Sequence, residues 1–326
     1  MEDINILILS VGRRVELVEC FKRAAKRLKI ESKIIGADIS DTAPAIYFTD
    51  KHYLIPRIGE KNYIESIIEI CNKEKIKAII PTIDTELLIL SQNKKIIEEK
   101  TEAKVMVSDY DVISICRNKI NTQEFFEKNG FGVPKRITEL NENEARFPLF
   151  IKPLDGSSSI NTFKVKNKEE LKFFKNYIDK PIIQELVEGK EYTIDAFCDF
   201  ESRPITIVPR QRIAVRNGEI LKGKIVKDRT LIDDVKRLLN KLKPIGQVTI
   251  QCIKNDEKIN YIEINPRFGG GAPMSIMAGA DSCENIYRLL LGEKLEYNEA
   301  YKDNIMFLRF DNSIMLDEKM EPIINV

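Results

Sequence analysis

The side chains best suited to chemistry lie in one short segment, Ile262-Glu-Ile-Asn-Pro-Arg-Phe-Gly-Gly-Gly271. Glu263 and Asn265 are two residues apart on a predicted strand, so their side chains leave the same face of it. Gln251 lies on the preceding predicted strand, and a short turn at 255–257 would place it beside them. One carboxylate and two amide oxygens are hard ligands that suit Mg²⁺ together with phosphate oxygens and water. The segment therefore predicts a magnesium site.

The end of the same segment is suited to a phosphoryl group. Arg267 directly follows Pro266 and could reach a transferred phosphoryl group. The run Gly269–Gly271 allows the backbone to approach a ligand closely. Taken alone, the segment has a second interpretation, which is an acidic strand end followed by a flexible glycine turn.

A second candidate is a lysine that precedes a small-residue loop. A predicted buried strand delivers Lys152, and the loop that follows contains Gly156, Ser157, Ser158 and Ser159. Backbone amides and hydroxyls of such a loop can fold over phosphates, with the lysine as a point charge on the same group. No Gly-Lys-Ser/Thr follows, so this is not a P-loop. Gly-Ser turns between strands are common, and alone the pattern is weak.

A third candidate is the hinge-like segment Ile183–Asp195. An apolar strand, a break at Gly189 and a second strand would offer one backbone acceptor and one backbone donor to an adenine edge. Glu191 could accept hydrogen bonds from ribose hydroxyls. The alternative is a plain hairpin.

Composition excludes several classes of function. Lys plus Arg number 52 and Asp plus Glu 51, a formal net charge of +1, so we expect no binding to nucleic acid or membrane and only local anion binding. The single histidine, His52, rules out a multi-histidine metal site. The six cysteines contain no Cys-x-x-Cys and are expected to be free thiols. Without a signal peptide or a spanning segment in the sequence, we expect a cytoplasmic protein.

The first third of the chain alternates predicted strands and helices, and it closes near residue 111. This order predicts an open parallel sheet with helices on both faces, whose ligands bind at the carboxyl ends of the strands. The predicted strands are 4–9, 34–38 and 78–82, and the predicted helices are 15–29 and 62–72.

Polar side chains at those strand ends are candidates for substrate binding. The arginines could bind a carboxylate or phosphate through a helix start, or they could simply be a solvated helix start. The acids and the threonine could bind a substrate amine or hydroxyl. Gly12 has no Gly-x-x-Gly companions, so a dinucleotide site is not expected. The candidates are Ser10, Gly12, Arg13, Arg14, Asp38, Thr82, Asp84 and Glu86.

Beyond residue 112 the pattern changes to an α+β region of short strands. The predicted strands are 149–153, 161–166, 181–187, 190–200, 204–209, 246–253 and 258–264, and the predicted helices are 117–129, 167–178 and 228–243.

The order of these pieces resembles the ATP-grasp superfamily, in its carbamoyl-phosphate-synthetase-like, carboxylate–amine ligase branch. The pieces are Lys119, Lys152 with its loop, Gln184-Glu-Leu-Val followed by Glu191, and Gln251 followed by Glu263-x-Asn265-x-Arg267. Gln251 and Pro81-Thr-Ile-Asp-Thr-Glu86 are similar to the carbamoyl-phosphate-synthetase branch.

The resemblance implies a domain organisation. A pre-ATP-grasp, Rossmann-like domain would span 1–111, and a two-part ATP-grasp fold would span 112–305. Its small lobe would cover about 112–187 and its large lobe about 188–305, and a C-terminal segment, 306–326, would pack on the ATP-grasp domain.

The resemblance also implies residue roles. Lys119 and Lys152 would contact ATP phosphates, with 156–159 closing over them. The Glu185 carbonyl and the Val187 amide would bind adenine, and Glu191 would bind ribose. Gln251, Glu263 and Asn265 would hold Mg²⁺, and Arg267 would stabilise the transferring phosphoryl. Lys222 would be a further phosphate contact, with Lys224 and Arg212 as alternatives.

Three functions follow from this resemblance. The first is a ligase that uses Mg-ATP, with two Mg²⁺ ions or Mn²⁺ in their place, to activate a carboxylate as an acylphosphate for attack by an amine. The second is a carbamoyl-phosphate-synthetase-like enzyme that activates bicarbonate. The third is a non-catalytic ATP-binding module. A homodimer is the default expectation for the assembly.

Overall fold

The computed structural model describes residues 3–138, 145–155, 160–256 and 258–323. They form one parallel sheet near the amino terminus, followed by two antiparallel sheets. The predicted phosphate loop Gly156–Ser159 and part of the predicted turn at 255–257 lie outside the described residues. Within the described ranges, no helix combines the length and apolarity needed to cross a bilayer.

The first domain is built from strands alternating with helices. Its elements are β1 (Asn5–Leu9), α1 (Val15–Leu28), β2 (Ile34–Asp38), a 3-10 turn (Pro44–Phe48), β3 (Lys51–Leu54), α2 (Tyr63–Glu74), β4 (Ile76–Ile80), α3 (Asp84–Lys100) and β5 (Lys104–Val105). The five strands pair in parallel in the order β3-β2-β1-β4-β5.

The centre of this sheet is buried on both faces. Ile6 and Ile8 of β1 pack into a core with α1, while Leu7 and Leu9 pack into a second core with α2 and α3. A strand covered on both sides requires an uninterrupted apolar run, which is what the sequence shows there.

The second part of the chain begins with a small lobe. Its elements are α4 (Tyr110–Arg117), α5 (Lys119–Lys128), β6 (Leu149–Pro153), β7 (Phe163–Val165), α6 (Lys168–Tyr177) and β8 (Pro181–Glu185). The three strands form an antiparallel sheet in the order β7-β6-β8.

The large lobe follows. Its elements are β9 (Lys190–Cys198), β10 (Pro204–Arg216), β11 (Glu219–Ile225), α7 (Arg229–Leu242), β12 (Gly246–Lys254), β13 (Ile259–Asn265), α8 (Ala272–Met277), α9 (Ser282–Leu290) and β14 (Met306–Leu308). The strands form an antiparallel sheet in the order β13-β12-β9-β10-β11-β14.

The two faces of this six-stranded sheet differ in polarity. On one face, apolar residues such as Ile194 and Ile250 pack with α7 in a buried core. At the alternate positions the register sets Thr193 opposite Gln251, and Gln251 opposite Glu263. Because successive side chains of a strand point to opposite faces, the polar residues share the other face. We call this the polar face.

The predicted fold class is confirmed: an open parallel sheet precedes a two-part α+β region. The sequence patterns missed the helices α3, α4, α8 and α9 and the strands β3, β5, β11 and β14. The apolar run Leu87–Leu90 at the start of α3 reads equally well as a strand. β11 and β14 contain several exposed positions, so an apolar alternation is weak in both.

The domain limits remain a prediction. The proposed limit between 111 and 112 falls inside α4. Residues 306–308 pair with β11 of the large lobe, with Lys222 opposite Leu308.

The carboxyl ends of β1 and β4 are joined by a buried carboxylate. Glu86 is fully buried and accepts hydrogen bonds from the hydroxyls of Ser10 (2.9 Å) and Tyr63 (3.2 Å) and from the amides of Thr82 (2.8 Å) and Ile83 (3.2 Å). Burial raises the pKa of Glu86 to about 6, although these hydrogen bonds oppose the rise.

We expect Glu86→Ala to destabilise the protein by about 2–4 kcal/mol, because four donors lose their acceptor inside the core. Urea unfolding at pH 8 measures the change. Glu99→Ala, on the exposed side of the same helix, is the control and should shift stability by less than about 0.5 kcal/mol. Equal effects in the two variants would contradict a structural role for Glu86.

Candidate functional site

The candidate metal ligands lie together on the polar face. The register places Gln251 opposite Glu263 and Thr249 opposite Asn265. The Asn265 amide nitrogen donates to Glu263 Oε1 at 2.9 Å, which leaves the amide oxygen of Asn265 available to a metal. Among the described residues, no three His, Cys, Asp or Glu side chains converge on one point. The candidate donor set is one carboxylate with two amides, which fits Mg²⁺ better than a softer ion.

Two lysines approach the same carboxylate. Lys119 begins α5 and donates from Nζ to the carbonyl of Pro153 at 2.7 Å, next to the end of β6, where Lys152 lies. Burial lowers the pKa of Lys152 to about 8; the charge of Lys119 adds to this and Glu263 opposes it. Burial also lowers the pKa of Lys119, opposed by Glu263 and Asp155. Lys119 thus lies beside the end of β6, and the carboxylate of Glu263 acts electrostatically on both lysines.

The predicted nucleoside contacts lie at the junction of the two lobes. The Glu185 amide donates to the Lys135 carbonyl at 2.9 Å, and Val187 is half-buried in the loop before β9. In that loop, a Cβ on Gly189 would lie 2.6 Å from the Lys254 carbonyl oxygen, so only glycine allows the loop to cross the end of β12.

At the start of β9, Glu191 forms an ion pair with Arg212 at 2.8 Å. Burial lowers the pKa of Arg212, while the carboxylates of Glu191 and Glu263 oppose the change. Arg212 is therefore a basic group of the polar face.

Lys222 lies on β11, and its predicted phosphate contact stays a prediction. Gly223 lies opposite Arg212 in the β10–β11 register, and a Cβ there would touch Arg210, so Gly223 faces the site. Strand alternation turns Lys222 and Lys224 to the opposite face, and Lys222 is exposed. Of the three alternatives in the sequence, Arg212 is the one that the structure places near Glu263. Sequence spacing could not decide this, because β11 was not recognised as a strand.

The glycine run after Arg267 is squeezed between side chains. A Cβ on Gly269 would lie 2.9 Å from the Thr249 hydroxyl, on Gly270 2.7 Å from Arg14 Nη1, and on Gly271 2.6 Å from Arg210 Nη1. These separations are shorter than van der Waals contact. The need for glycine comes from this crowding.

Behind the glycines lies a buried ion pair that the sequence analysis missed. Arg210 and Asp195 are each 2% exposed at the side chain and lie 3.1 Å apart. Asp195 also accepts from the Ser275 hydroxyl at 2.6 Å. The sequence signal that could have identified this ion pair was the alternation of charged and apolar residues at 193–196 and 208–212.

Arg267 connects the large lobe to the first domain. Its Nη2 donates to Asp84 of α3 at 2.6 Å, and both side chains are largely buried. Arg14, at the start of α1, is 21% exposed and lies 3.6 Å from Glu219. Burial lowers the pKa of Arg14, and the positive charge of Arg267 lowers it further. We call Arg14, Asp84, Glu219 and Arg267 the seam.

The other predicted substrate contacts are engaged elsewhere. Ser10 and Glu86 bond to each other, and the Thr82 hydroxyl donates to the Ser10 carbonyl at 2.7 Å. Asp38 accepts from the Gly12 amide at 2.8 Å. These five groups stabilise the strand ends of the first domain.

Arg13 is 77% exposed at the side chain and lies 3.7 Å from Asp311. Its position next to Arg14 in the sequence gives no indication of this difference. Of the eight candidates, Arg14 and Asp84 are the two that lie at the seam.

Two family models match consecutive parts of the chain. Residues 6–107 match the family model described as the PylC-like N-terminal domain, and residues 116–271 match the ATP-grasp domain model. The chain carries an ATP-grasp domain behind a PylC-like N-terminal domain.

The curated relatives are longer proteins. The carbamoyl phosphate synthase large chain of Clostridium perfringens is 24% identical over 319 residues, covering 88% of this chain and 29% of that protein. This ATP-grasp chain therefore spans less than a third of that relative's length.

Solved structures share the fold of this ATP-grasp chain. The biotin carboxylase domain of Hydrogenobacter thermophilus 2-oxoglutarate carboxylase, in complex with Mg-ADP, ADP and bicarbonate, has a TM-score of 0.71 and 16% identity and covers 94% of this chain and 74% of that one. The L-amino acid ligase of Bacillus licheniformis has a TM-score of 0.67 and 14% identity, with coverages of 89% and 75%.

We expect Gly271→Ala to lower the free energy of unfolding by about 1–3 kcal/mol, because Arg210 is locked to Asp195 and cannot move aside without strain. Chemical denaturation measures this. Gly59→Ala, where a Cβ meets nothing within 4 Å, is the control. A Gly271→Ala variant as stable as Gly59→Ala would show that the crowding is relieved at no cost.

We expect the affinity for Mg-ADP to fall as the pH rises from 7.5 to 9. The pKa of Lys152 is about 8 in the free protein, so the lysine is mostly charged below this range and mostly neutral above it. Since a neutral amine attracts phosphate less, binding weakens on the alkaline side. Calorimetric titration across the range measures it. Lys152→Arg, which stays charged, should flatten the profile, and an unchanged slope would assign the titration to another group.

Proposed function

We propose that this protein is an Mg-ATP-dependent ligase that activates a carboxylate as an acylphosphate and then joins it to an amine. The observation that carries the proposal is the convergence of Lys119 and Lys152 on Glu263, with Arg267 directed to the first domain. The ATP-grasp domain match, together with an amino acid ligase among the structures of the same fold, supports it.

The positive side chains would neutralise the nucleotide. Lys119 and Lys152 would contact the triphosphate, with Glu263 facing a metal-bound phosphate. Glu263, Asn265 and Gln251 would hold Mg²⁺, which when bound neutralises charge on the β- and γ-phosphates. We propose two such ions, with Mn²⁺ as a substitute.

The hinge would hold the nucleoside. We propose that Glu185 and Val187 bind adenine through their backbone and that Glu191 binds ribose. Glu191 already pairs with Arg212, so ribose hydroxyls would share that carboxylate with the guanidinium.

The chemistry needs no nucleophile from the protein. A carboxylate oxygen of the acid attacks the γ-phosphorus, the bond from that phosphorus to the β,γ-bridging oxygen breaks, and ADP leaves. The amine nitrogen then attacks the acyl carbon, the carbon–oxygen bond to phosphate breaks, and the amine loses a proton. The protein supplies position and charge, with Arg267 beside the transferring phosphoryl.

A second candidate is bicarbonate activation. It is favoured by the structurally similar carboxylase domain, which was solved in complex with bicarbonate, and by the carbamoyl phosphate synthase relative. ADP release with pooled amino acids, and separately with bicarbonate, distinguishes the two. Binding of Mg-ATP without stimulation by either would favour a non-catalytic module. Sedimentation of the same samples tests the proposed homodimer.

We expect Glu263→Gln to reduce acceptor-stimulated ADP release by about a hundredfold or more while the fold is retained, because the metal loses its charged ligand. Coupled ADP detection with circular dichroism measures both. Glu65→Gln, an exposed site on α2, is the control and should keep full activity. Unchanged turnover in the Glu263 variant would remove this residue from the metal site.

A further inference from the structure

The large-lobe sheet ends at a strand whose outer side is open. Within the described parts of the chain, β14 is the last strand of that sheet, and its one neighbour is β11. The Arg309 amide donates to the Leu221 carbonyl of β11 at 2.9 Å. Because successive residues of an antiparallel strand direct their backbone groups to opposite sides, the N–H and C=O groups of Met306, Leu308 and Phe310 point away from β11. We call these three residues the free edge.

The free edge also carries exposed apolar side chains. Met306, Leu308 and Phe310 are 51%, 67% and 84% exposed. Phe307 packs against the core that contains Ile225, on one face of the sheet. Strand alternation therefore places the three exposed side chains together on the other face. Large apolar side chains in a row along an open edge mark a surface that can bind another chain.

The free edge lacks the features that usually prevent a second strand from pairing. Natural edge strands carry a lysine, a proline or a bulge for this purpose. Residues 305–310 contain neither lysine nor proline. Their one charged side chain, Arg309, pairs with Glu16 at 3.5 Å and with Glu219 at 3.2 Å, so its charge is compensated within the chain. The backbone groups of the free edge are thus accessible to a second strand.

The free edge is complementary to a copy of itself. With a second β14 antiparallel about a two-fold axis at Leu308, this residue faces its own copy, and Met306 faces the copy's Phe310. Apolar side chains then meet at all three positions, and the free backbone groups bond to one another. Axes at Met306 or Phe310 would instead place Leu308 opposite Asn304 or Asn312. The apolar pattern therefore favours a second copy of this chain, in one register.

Electrostatic repulsion does not prevent this pairing. Lys222 and Lys224 lie opposite Leu308 and Met306 on β11. Their stems can cover apolar surface while the ammonium groups stay in water. The two copies of Lys222 would lie three strand spacings apart, about 14 Å, which exceeds the screening length of about 8–10 Å. The formal net charge of +1 adds little repulsion between copies.

We propose that two copies of this chain associate through the free edge, so that their two six-stranded sheets form one continuous antiparallel sheet. This inference assigns a surface to the proposed homodimer and is independent of the proposed ligase function. The contact is small in comparison with the interfaces of stable dimers, so we expect a dissociation constant of about 1–100 µM.

Opposite charges at Leu308 test the two-fold axis. This side chain is exposed, so Leu308→Asp and Leu308→Lys should both retain the fold, which circular dichroism checks, and either one suffices if the other does not fold. Each variant alone brings like charges face to face, and sedimentation velocity should show its dissociation constant raised about tenfold or more. An equal mixture of the two brings opposite charges face to face and should associate about threefold to tenfold more tightly than either variant alone.

Leu54→Asp is the matched control. Leu54 is an equally exposed leucine on β3, which is an edge strand of the parallel sheet. We expect this variant to associate as the wild type does, because the added charge lies outside the free edge. A loss of association equal to that of Leu308→Asp would show a general effect of surface charge and overturn the proposal.

The remaining outcomes separate the homodimer from its surface. A wild type that stays monomeric up to about 300 µM would overturn both the homodimer and the pairing at the free edge. A wild-type dimer that persists unchanged in Leu308→Asp would place the homodimer on another surface. Two weakened variants that do not recover on mixing would overturn the two-fold axis at Leu308. None of these results affects the ligase function, which ADP release tests separately.

Discussion

The different polarity of the two faces of one antiparallel sheet underlies the rest of this structure. Residues such as Ile194 and Ile250 bury one face against α7, and this apolar core fixes the register of β9, β12 and β13. Once the register is fixed, the polar residues between them must share the opposite face. A shift of one residue would exchange the faces and bury Glu263, which the free energy of a buried, unpaired charge forbids.

Several charged side chains of the polar face are buried, so water solvates their charges only in part. Arg210 and Asp195 on this face neutralise each other in full burial. On β6 of the small lobe, burial and the charge of the nearby Lys119 lower the pKa of Lys152. Clusters of this kind are costly in an empty protein and become favourable when a ligand of opposite charge enters. The positive groups beside Glu263 are consistent with the proposed binding of a metal-bound polyphosphate.

The glycine run Gly269–Gly271 connects the polar face to the first domain. Its backbone passes so close to Thr249, Arg210 and Arg14 that each glycine faces a different side chain. The ion pair between Arg267 and Asp84 then joins the two parts of the chain on the far side of the loop. Movement of the first domain relative to the large lobe would therefore disturb Arg267 directly.

The sequence by itself determined the alternating architecture, the parallel sheet and the placement of Gln251, Glu263 and Asn265 on one face, since these depend on local periodicity. The tertiary structure decided which of several similar side chains reach the site. Arg13 and Arg14 are neighbours, yet one is exposed and the other lies at the seam, because the large lobe covers only the second. Lys222 and Arg212 were equivalent candidates in the sequence, and only the pairing of β10 with β11 distinguishes their positions. Glu86 is bonded to Ser10 and Tyr63 on other elements, and only packing brings these three residues together.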